Sequence, residues 1–519
     1  TRMTRSQTDS TPETSSAPNA RVLRICGRCL LVVGLGFGLT YLFWSQVWHG
    51  GGWIGGDIYT YYFPQKLTYQ ESLTRGDWAL WNDLVAHGYP QLAESQTGVF
   101  YPLHLLFYTR FDLCRAYHLN QLLHYVLAFA GTVLLARTLK LSLPAAVLAG
   151  VVYTYGWFPA RTSLEWAIVG GAWLPFAVWT TERFLVSRAW KFLILLAVIL
   201  ALQLLAGHFV IAFLTILTTL GYSFARTVLF PVKHETTRPN SSSSSTVRPK
   251  FRMLAACGVA LGCGFLLAGV QLVPSWELKQ HSQRDEEFHD VGYGHLPPEY
   301  LAQVVAPWKW YSLGDARNEK LQKLDWLALD SATNTVEAHL YFGLVPFALA
   351  IIGLFPISNS RPLDRWQRLV WWGLALLAVS YAMGWWLPLT RQLPGFSFFI
   401  GPGRYGLIAT LGIALLSAEA ADACFQRLKP TLKSLAWSVT IGITLWDLFL
   451  VSRLVSDATI QTQPAFDLRE FSPVREYLSA RPEPVRLHAP GQNLPTLLGV
   501  SALPQYLGLS PTEYFQEAT

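Results

Sequence analysis

Charge is what this chain has least of: Asp, Glu, Lys and Arg make up 14% of its 519 residues, against about a quarter in soluble globular proteins. The shortfall excludes a soluble enzyme. With 51% hydrophobic residues it also excludes a disordered chain. A nucleic-acid partner is excluded on the same grounds, despite a net charge of +7. Six cysteines make no disulfide scaffold. Cys26 and Cys29 have redox-pair spacing, but no βαβ pattern surrounds them. His-Glu-x-x-His, P-loop and paired-Cys zinc patterns are lacking, which removes the usual metal and nucleotide sites and argues against ATP-driven transport by this chain alone.

What the chain does have is 21 Trp, 22 Tyr and 29 Phe, a mean hydropathy of +0.28 and long apolar runs. A membrane span needs about 20 mostly apolar residues. About eleven such runs occur, near 29–48, 116–137, 142–158, 166–185, 190–206, 208–229, 253–275, 338–357, 368–388, 403–424 and 434–453. The fold expected is an all-α polytopic membrane protein of about eleven transmembrane helices, with two large extracytoplasmic loops and a short C-terminal extracytoplasmic segment.

Basic residues favour the cytoplasmic side. With a cytoplasmic N-terminus and alternating spans, the inner segments hold 22 of the 40 Lys and Arg and seven of the 33 acids. The predicted orientation is N-in and C-out. Residues 1–28 read as a disordered basic cytoplasmic tail. The run after Arg28 lacks a small-residue cleavage site and reads as a retained first span. The transmembrane domain is placed at 29–453, with outer loops at 49–115 and 277–337 and a Ser-rich cytoplasmic loop at 230–252. Residues 454–519 read as an outer segment that leans on the membrane core, with a strand-like Val485–His488.

Chemistry is expected where polar groups gather at one membrane face beside an organised loop. The first outer loop opens with Gly50-Gly51-Gly52-Trp53-Ile54-Gly55-Gly56-Asp57, followed by Ile58-Tyr59-Thr60-Tyr61-Tyr62-Phe63-Pro64. Its glycines let the chain turn tightly above the bilayer. Asp57 is then either a partly desolvated base or the N-cap of the next helix. Asp447 lies inside the last span and is expected to face the bundle and hold a structural hydrogen bond. His118, His124 and His339 lack metal-ligand spacing and read as core or interface residues.

Downstream stand Gly76-Asp77-Trp78-Ala79-Leu80-Trp81-Asn82, Gly88-Tyr89-Pro90, Glu94-Ser95-Gln96 and Phe100-Tyr101-Pro102. Further on come Ala172-Trp173-Leu174-Pro175, Ala206-Gly207-His208, Gln271–Glu277 with Ser282-Gln283-Arg284, Tyr341-Phe342-Gly343 and Leu393-Pro394-Gly395…Pro402-Gly403-Arg404. In this order the pieces resemble the YfhO family of bacterial multi-pass membrane proteins, within the GT-C group of glycosyltransferases, over roughly residues 30–450. Three departures stand out. Ala79 replaces a Pro, Phe209-Val210 replace a Pro-Gln after Gly207-His208, and the chain stops soon after the last span.

The resemblance implies a bacterial cytoplasmic (inner) membrane enzyme working at the extracytoplasmic face. It would move a sugar, with inversion, from a polyprenyl-phosphate donor to a cell-envelope glycan or polymer acceptor. Its partners would be the polyprenyl-phosphate-linked sugar, the acceptor and membrane lipid. It assigns Asp57 as general base and Arg404 and Arg284 to the donor phosphate, with Glu94, Trp81, Asn82, Gln96 and Tyr101 as accessory residues. The residues alone leave other readings open: a snorkelling Arg404, a solvated Arg284 beside Asp285-Glu286-Glu287, and a solvated Glu94. No metal ligand or cofactor is assigned. A divalent cation is compatible with the chain, although no Asp-x-Asp follows the first span. The competing functions are a transporter or flippase of a lipid-linked substrate and a non-catalytic envelope-assembly scaffold; against the first, no internal repeat is visible.

Overall fold

The computed structural model describes residues 18–230, 247–284, 292–307, 320–324, 329–357, 362–396, 398–455, 458–463, 472–482, 485–488, 492–503 and 506–512. Helix α1 spans Pro18–Trp48, so residues 18–28 are helical rather than part of a tail; residues 1–17 lie outside the described set. The long loop at residues 49–115 holds strand β1 (Gly52–Ile54), helix α2 (Phe63–Arg75) and helix α3 (Pro102–Tyr108). Then come α4 (Leu113–Thr138), α5 (Leu143–Trp157), α6 (Glu165–Gly171), α7 (Leu174–Ser187), α8 (Lys191–Leu205) and α9 (Phe209–Phe224). Caps fix the starts of two of these. The Asp112 carboxylate accepts from Arg115 N at 3.0 Å ahead of α4, and the Ser142 hydroxyl accepts from Ala145 N at 3.4 Å ahead of α5.

Most of the Ser-rich loop lies outside the described residues, and helix α10 (Val247–Leu267) already occupies its last part. Helix α11 (Gly269–Gln280) follows at a bend of 76°. The second outer loop contains an antiparallel hairpin, β2 (Lys320–Leu324) with β3 (Leu329–Thr333). After it come α12 (Leu344–Ile352), α13 (Arg365–Ala382), the single turn α14 (Leu387–Thr390), α15 (Gly406–Phe425) and α16 (Pro430–Val455).

All eleven apolar runs fall on helix, but they do not make eleven uninterrupted spans. Among the described residues, six helical stretches are long and apolar enough to cross a membrane: Gly27–Trp48, Leu113–Thr138, Leu143–Arg161, Phe209–Leu229, Pro402–Phe425 and Pro430–Val455. The bent α10–α11 pair makes a seventh if counted as one span. The run 166–185 breaks into α6 and α7 between Gly170-Gly171 and Pro175, and the run 338–357 yields only nine helical residues after Gly343, whose φ is +87°. At 1.5 Å per residue, the 15 residues of α8 reach about 22 Å, short of a hydrocarbon core of about 30 Å.

Helix α15 is the centre, buried along nearly its whole length. Small residues let its neighbours approach. A Cβ on Gly412 would sit 3.1 Å from Ala375 of α13, and one on Gly150 of α5 would sit 2.7 Å from the Phe129 ring of α4. Phe43 of α1 stacks on Tyr155 of α5 at 3.9 Å. Helix α16 is peripheral: Leu432, Leu435, Val439, Ile443, Trp446, Leu450 and Leu454 form an exposed stripe, while Thr444, Leu448 and Val451 face inward. The two faces differ in what they meet, lipid or protein, rather than in polarity. Asp447 bridges inward, its carboxylate accepting from the Tyr341 hydroxyl (2.7 Å) and Leu344 N (2.8 Å).

The C-terminal residues fold back over the first outer loop. Strand β4 (Thr459–Gln461) pairs antiparallel with β1, and helix α17 covers Pro473–Ser479. Strand β5 (Arg486–His488) lies where the sequence suggests a strand, and pairs in parallel with β6 (Ser501–Leu503). Ala502 exchanges backbone hydrogen bonds with Leu84 (3.0 Å) and Ala86 (3.1 Å).

Candidate functional site

Trp53 fixes the glycine-rich turn after α1. Its ring packs edge-on against Trp44 at 5.3 Å, and its backbone N–H donates to His118 Nε2 at 2.9 Å. Gly55 and Gly56 then take φ values of +114° and +52°, which turn the chain into a short π-helix at Ile58–Tyr62. Asp57 occupies the N-cap position of that helix, yet its carboxylate makes no capping bond. It is half-buried and lines a cavity of about 390 Å³.

The same cavity brings in Arg284 and Arg404 from distant parts of the chain, together with Gln96 and His208. Arg404 is neither snorkelling nor solvated. It leaves a tight turn at Pro402–Tyr405 and binds Glu337 with two hydrogen bonds, Nε to Oε2 at 2.9 Å and an Nη to Oε1 at 2.6 Å. Its guanidinium also lies 4.5 Å from the centre of the Trp166 ring. Burial would raise the pKa of Glu337, but the Arg404 charge outweighs burial and holds the carboxyl below its ordinary range. Buried Arg161 in turn fixes the backbone here, donating to the carbonyls of Glu337 and His339 at 3.2 Å each.

Trp166 carries a second ring. His208 stacks on it at 4.3 Å with planes 17° apart, and its Nδ1 is buried with no hydrogen-bond partner among the described residues. Burial lowers the His208 pKa, and the charges of Arg404 and Arg284 lower it further, so the imidazole is neutral near pH 7. Arg284, predicted by the alternative reading to be solvated, is a cavity-lining group; burial pulls its pKa down while the Glu94 carboxylate favours its charged form.

A second cavity of about 590 Å³ adjoins the first and shares Gln96, His208, Val210, Arg284, Phe398 and Gly508 with it. Its walls are mostly apolar (Phe209 and Phe213 of α9, Phe265 of α10, Leu272 and Trp276 of α11, and Phe399), with Glu94, Lys279 and Arg284 as charged residues in the lining. Phe265 and Trp276 are also exposed on the outer surface of the bundle.

The accessory set divides. Gln96 lies at both cavities. Glu94 is fully buried rather than solvated, and its oxygens accept from the Tyr61 and Tyr89 hydroxyls (both 2.7 Å) and from Gly508 N and Leu509 N. Trp81 is 52% exposed and lies outside both cavities. Asn82 bridges Tyr89 and accepts from Leu84 N, a turn-building role. Tyr101 is buried between His124 Nε2 (2.6 Å) and the Trp173 indole (3.1 Å). His118, His124 and His339 all bond backbone or core groups, as core residues do.

Three cavity components, Trp166, Glu337 and the placement of His208, went unread in the sequence. A buried cluster behind the loop did too: Glu165 lies 3.2 Å from both Lys66 Nζ and His104 Nε2. Burial would raise the pKa of Glu165, but Lys66 and His104 bring it down to about 2, whereas burial pulls Lys66 below its usual range. Apart from His208, which stands in the Ala206-Gly207-His208 piece, no local motif marks these residues. Among the described residues no group of three or more His, Cys, Asp or Glu is arranged to hold a metal ion.

Helices of this arrangement, with an organised loop after the first apolar helix and a cavity at its foot, define an integral membrane protein of the GT-C-like fold class. No family model and no curated protein matches the chain. Among solved structures it is similar to the apo oligosaccharyltransferase of Archaeoglobus fulgidus, with a TM-score of 0.51, 13% identity and coverage of 92% of this chain and 64% of that one. It is likewise similar to the same organism's oligosaccharyltransferase AglB in complex with an inhibitory peptide and a dolichol-phosphate, with a TM-score of 0.50, 13% identity and the same coverages. The chain thus spans 64% of the length of these neighbours, and the likeness is one of fold.

Proposed function

We propose that the chain is an integral membrane glycosyltransferase of the YfhO type. It would transfer a sugar from a polyprenyl-phosphate donor to a glycan or polymer of the bacterial cell envelope at the extracytoplasmic face of the inner membrane. The observation that carries the reading is the pair of joined cavities. One is polar and holds two carboxylates, Asp57 and Glu337, and two guanidinium groups; the other is mostly apolar; Arg284 belongs to both. A lipid-linked sugar has the same division, with a sugar, a phosphate and a long hydrocarbon chain in that order. The dolichol-phosphate in a structural neighbour supports the choice of ligand class.

The chemistry follows from the groups present. The Asp57 carboxylate takes the proton of the acceptor hydroxyl. The acceptor oxygen attacks the anomeric carbon from the face opposite the phosphate, so the configuration inverts. The bond between that carbon and the phosphate oxygen breaks, and the negative charge leaves on the polyprenyl phosphate. Arg284 stabilises the departing phosphate, and Arg404 adds the guanidinium edge that Glu337 leaves uncovered. His208, neutral on the Trp166 ring, offers a polar edge at the junction without adding charge.

The test compares envelope glycans and polyprenyl-phosphate sugars in wild-type cells, in a deletion strain, and in the deletion strain carrying Asp57→Asn at matched membrane levels. The reading expects one glycan to disappear, its lipid-linked donor to accumulate, and Asp57→Asn to restore neither. Full rescue by Asp57→Asn rules out Asp57 as the base. An unchanged glycan profile in the deletion strain favours a transporter or an assembly scaffold instead.

A further inference from the structure

The two cavities meet at the C-terminal segment. Tyr506 and Leu507 wall the polar cavity, Leu509 walls the apolar one, and Gly508 lines both. Glu94 fastens this stretch from below. Its Oε2 accepts from Gly508 N at 3.0 Å, Leu509 N at 3.2 Å and the Tyr89 hydroxyl at 2.7 Å, while Oε1 accepts from the Tyr61 hydroxyl at 2.7 Å. Oε2 thus takes three donors and Oε1 one, so most of the carboxylate's roughly four acceptor sites are engaged in holding the surrounding chain.

Beyond Leu509 the chain runs along residues 281–283. Ser510 O accepts from Gln283 N at 3.0 Å, Thr512 N donates to His281 O at 3.0 Å, and Ser282 bridges Pro511 in antiparallel register. The next residue is Arg284, the cation common to both cavities. A continuous set of hydrogen bonds therefore runs from Glu94 through residues 508–512 to the backbone that carries Arg284. The Glu94 charge also supports the guanidinium directly, because it favours the charged form of Arg284 against burial.

We propose that Glu94 is a positioning residue which, through the Gly508–Thr512 stretch, sets Arg284 at the junction of the two cavities to receive the phosphate of the lipid-linked donor. This rests on the lipid-phosphate reading above. Gln at this position does not reproduce the arrangement, because its amide NH₂ would take the place of one carboxylate oxygen and face donors where an acceptor is needed; of these donors the Tyr89 hydroxyl also reaches Leu509 O at 2.9 Å. Gly508 is constrained from the other side: a Cβ there would meet Glu94 Oε1 at 2.7 Å and the Tyr61 hydroxyl at 3.0 Å.

The experiment uses the purified full-length chain in lipid nanodiscs and two probes, a long-chain prenyl monophosphate without sugar and the matching prenyl alcohol. Wild type, Glu94→Gln, Arg284→Ala and the double variant are compared. Each single substitution is expected to weaken prenyl-phosphate binding about tenfold and leave prenyl-alcohol binding unchanged. The double variant should bind no more weakly than Arg284→Ala, because the first effect acts through the second residue. Gly508→Val, which leaves the Glu94 carboxylate in place, should reproduce the Glu94→Gln loss and serves if Glu94→Gln does not fold. Losses that add, equal losses for phosphate and alcohol, or unaltered binding by Glu94→Gln and Gly508→Val would each overturn the positioning role alone. Wild type binding the phosphate no better than the alcohol would overturn the lipid-phosphate reading, and the positioning role with it.

Discussion

Asp57 and Glu94 are carboxylates of one loop with opposite circumstances. Glu94 is buried and accepts from four donors, whereas Asp57 is half-buried and lines the polar cavity. Environment rather than residue type separates a structural acid from a candidate base. Asp57→Asn is expected to lower the transfer rate by about 10²–10⁴-fold while donor binding, measured separately, stays at the wild-type level. His208 gives a pH prediction of definite sign. Its pKa is lowered by burial and by Arg404 and Arg284, so the ring remains neutral as pH falls from 7.5 to 5.5. Donor affinity measured over that range should therefore be flat in wild type and in His208→Gln. A rise on acidification that His208→Gln abolishes would mean that the ring gains a charge there.

At the scale of elements, the outer loop is pinned to α6 by a buried ion cluster rather than by apolar contact alone. Glu165 of α6 reaches Lys66 of α2 and His104 of α3. Glu165→Gln leaves Lys66 buried without an anion and should cost about 3–5 kcal/mol, seen as a lowered melting temperature in detergent. Adding Lys66→Met should recover much of that loss. Because the Glu165 pKa is depressed to about 2, its contribution to stability is complete above the ordinary carboxylate range. It is lost only as pH falls from that range toward 2. The helices themselves were legible, since each long apolar run carries helix along at least part of its length. Whether a run crosses unbroken was not, because the breaks at Gly170-Gly171, Pro175 and Gly343 depend on how each helix end packs against its neighbours.

For the whole molecule, the family resemblance supplied Asp57, Arg284 and Arg404 as candidates, and the three line one cavity. It did not disclose Glu337, Trp166 or the buried status of Glu94, because each owes its place to contacts between segments far apart in the chain. Nor did it disclose that the C-terminal segment walls the site. The predicted orientation has its own test. In a background without native cysteines, Trp81→Cys, at an exposed outer-loop position, should react with an impermeant maleimide in intact cells. Lys429→Cys, exposed in the turn before α16, should react only after permeabilisation. The reverse pattern would invert the topology and remove the site from the outer face.

The most direct measurement of the central claim is sugar transfer in host membrane vesicles given a polyprenyl-phosphate sugar labelled in the sugar. Wild-type vesicles should move label from the lipid fraction into a non-lipid acceptor, while Asp57→Asn vesicles should bind the donor equally well and leave the label on the lipid. Transfer at the wild-type rate by Asp57→Asn, or label that stays on the lipid in wild-type vesicles, would contradict it.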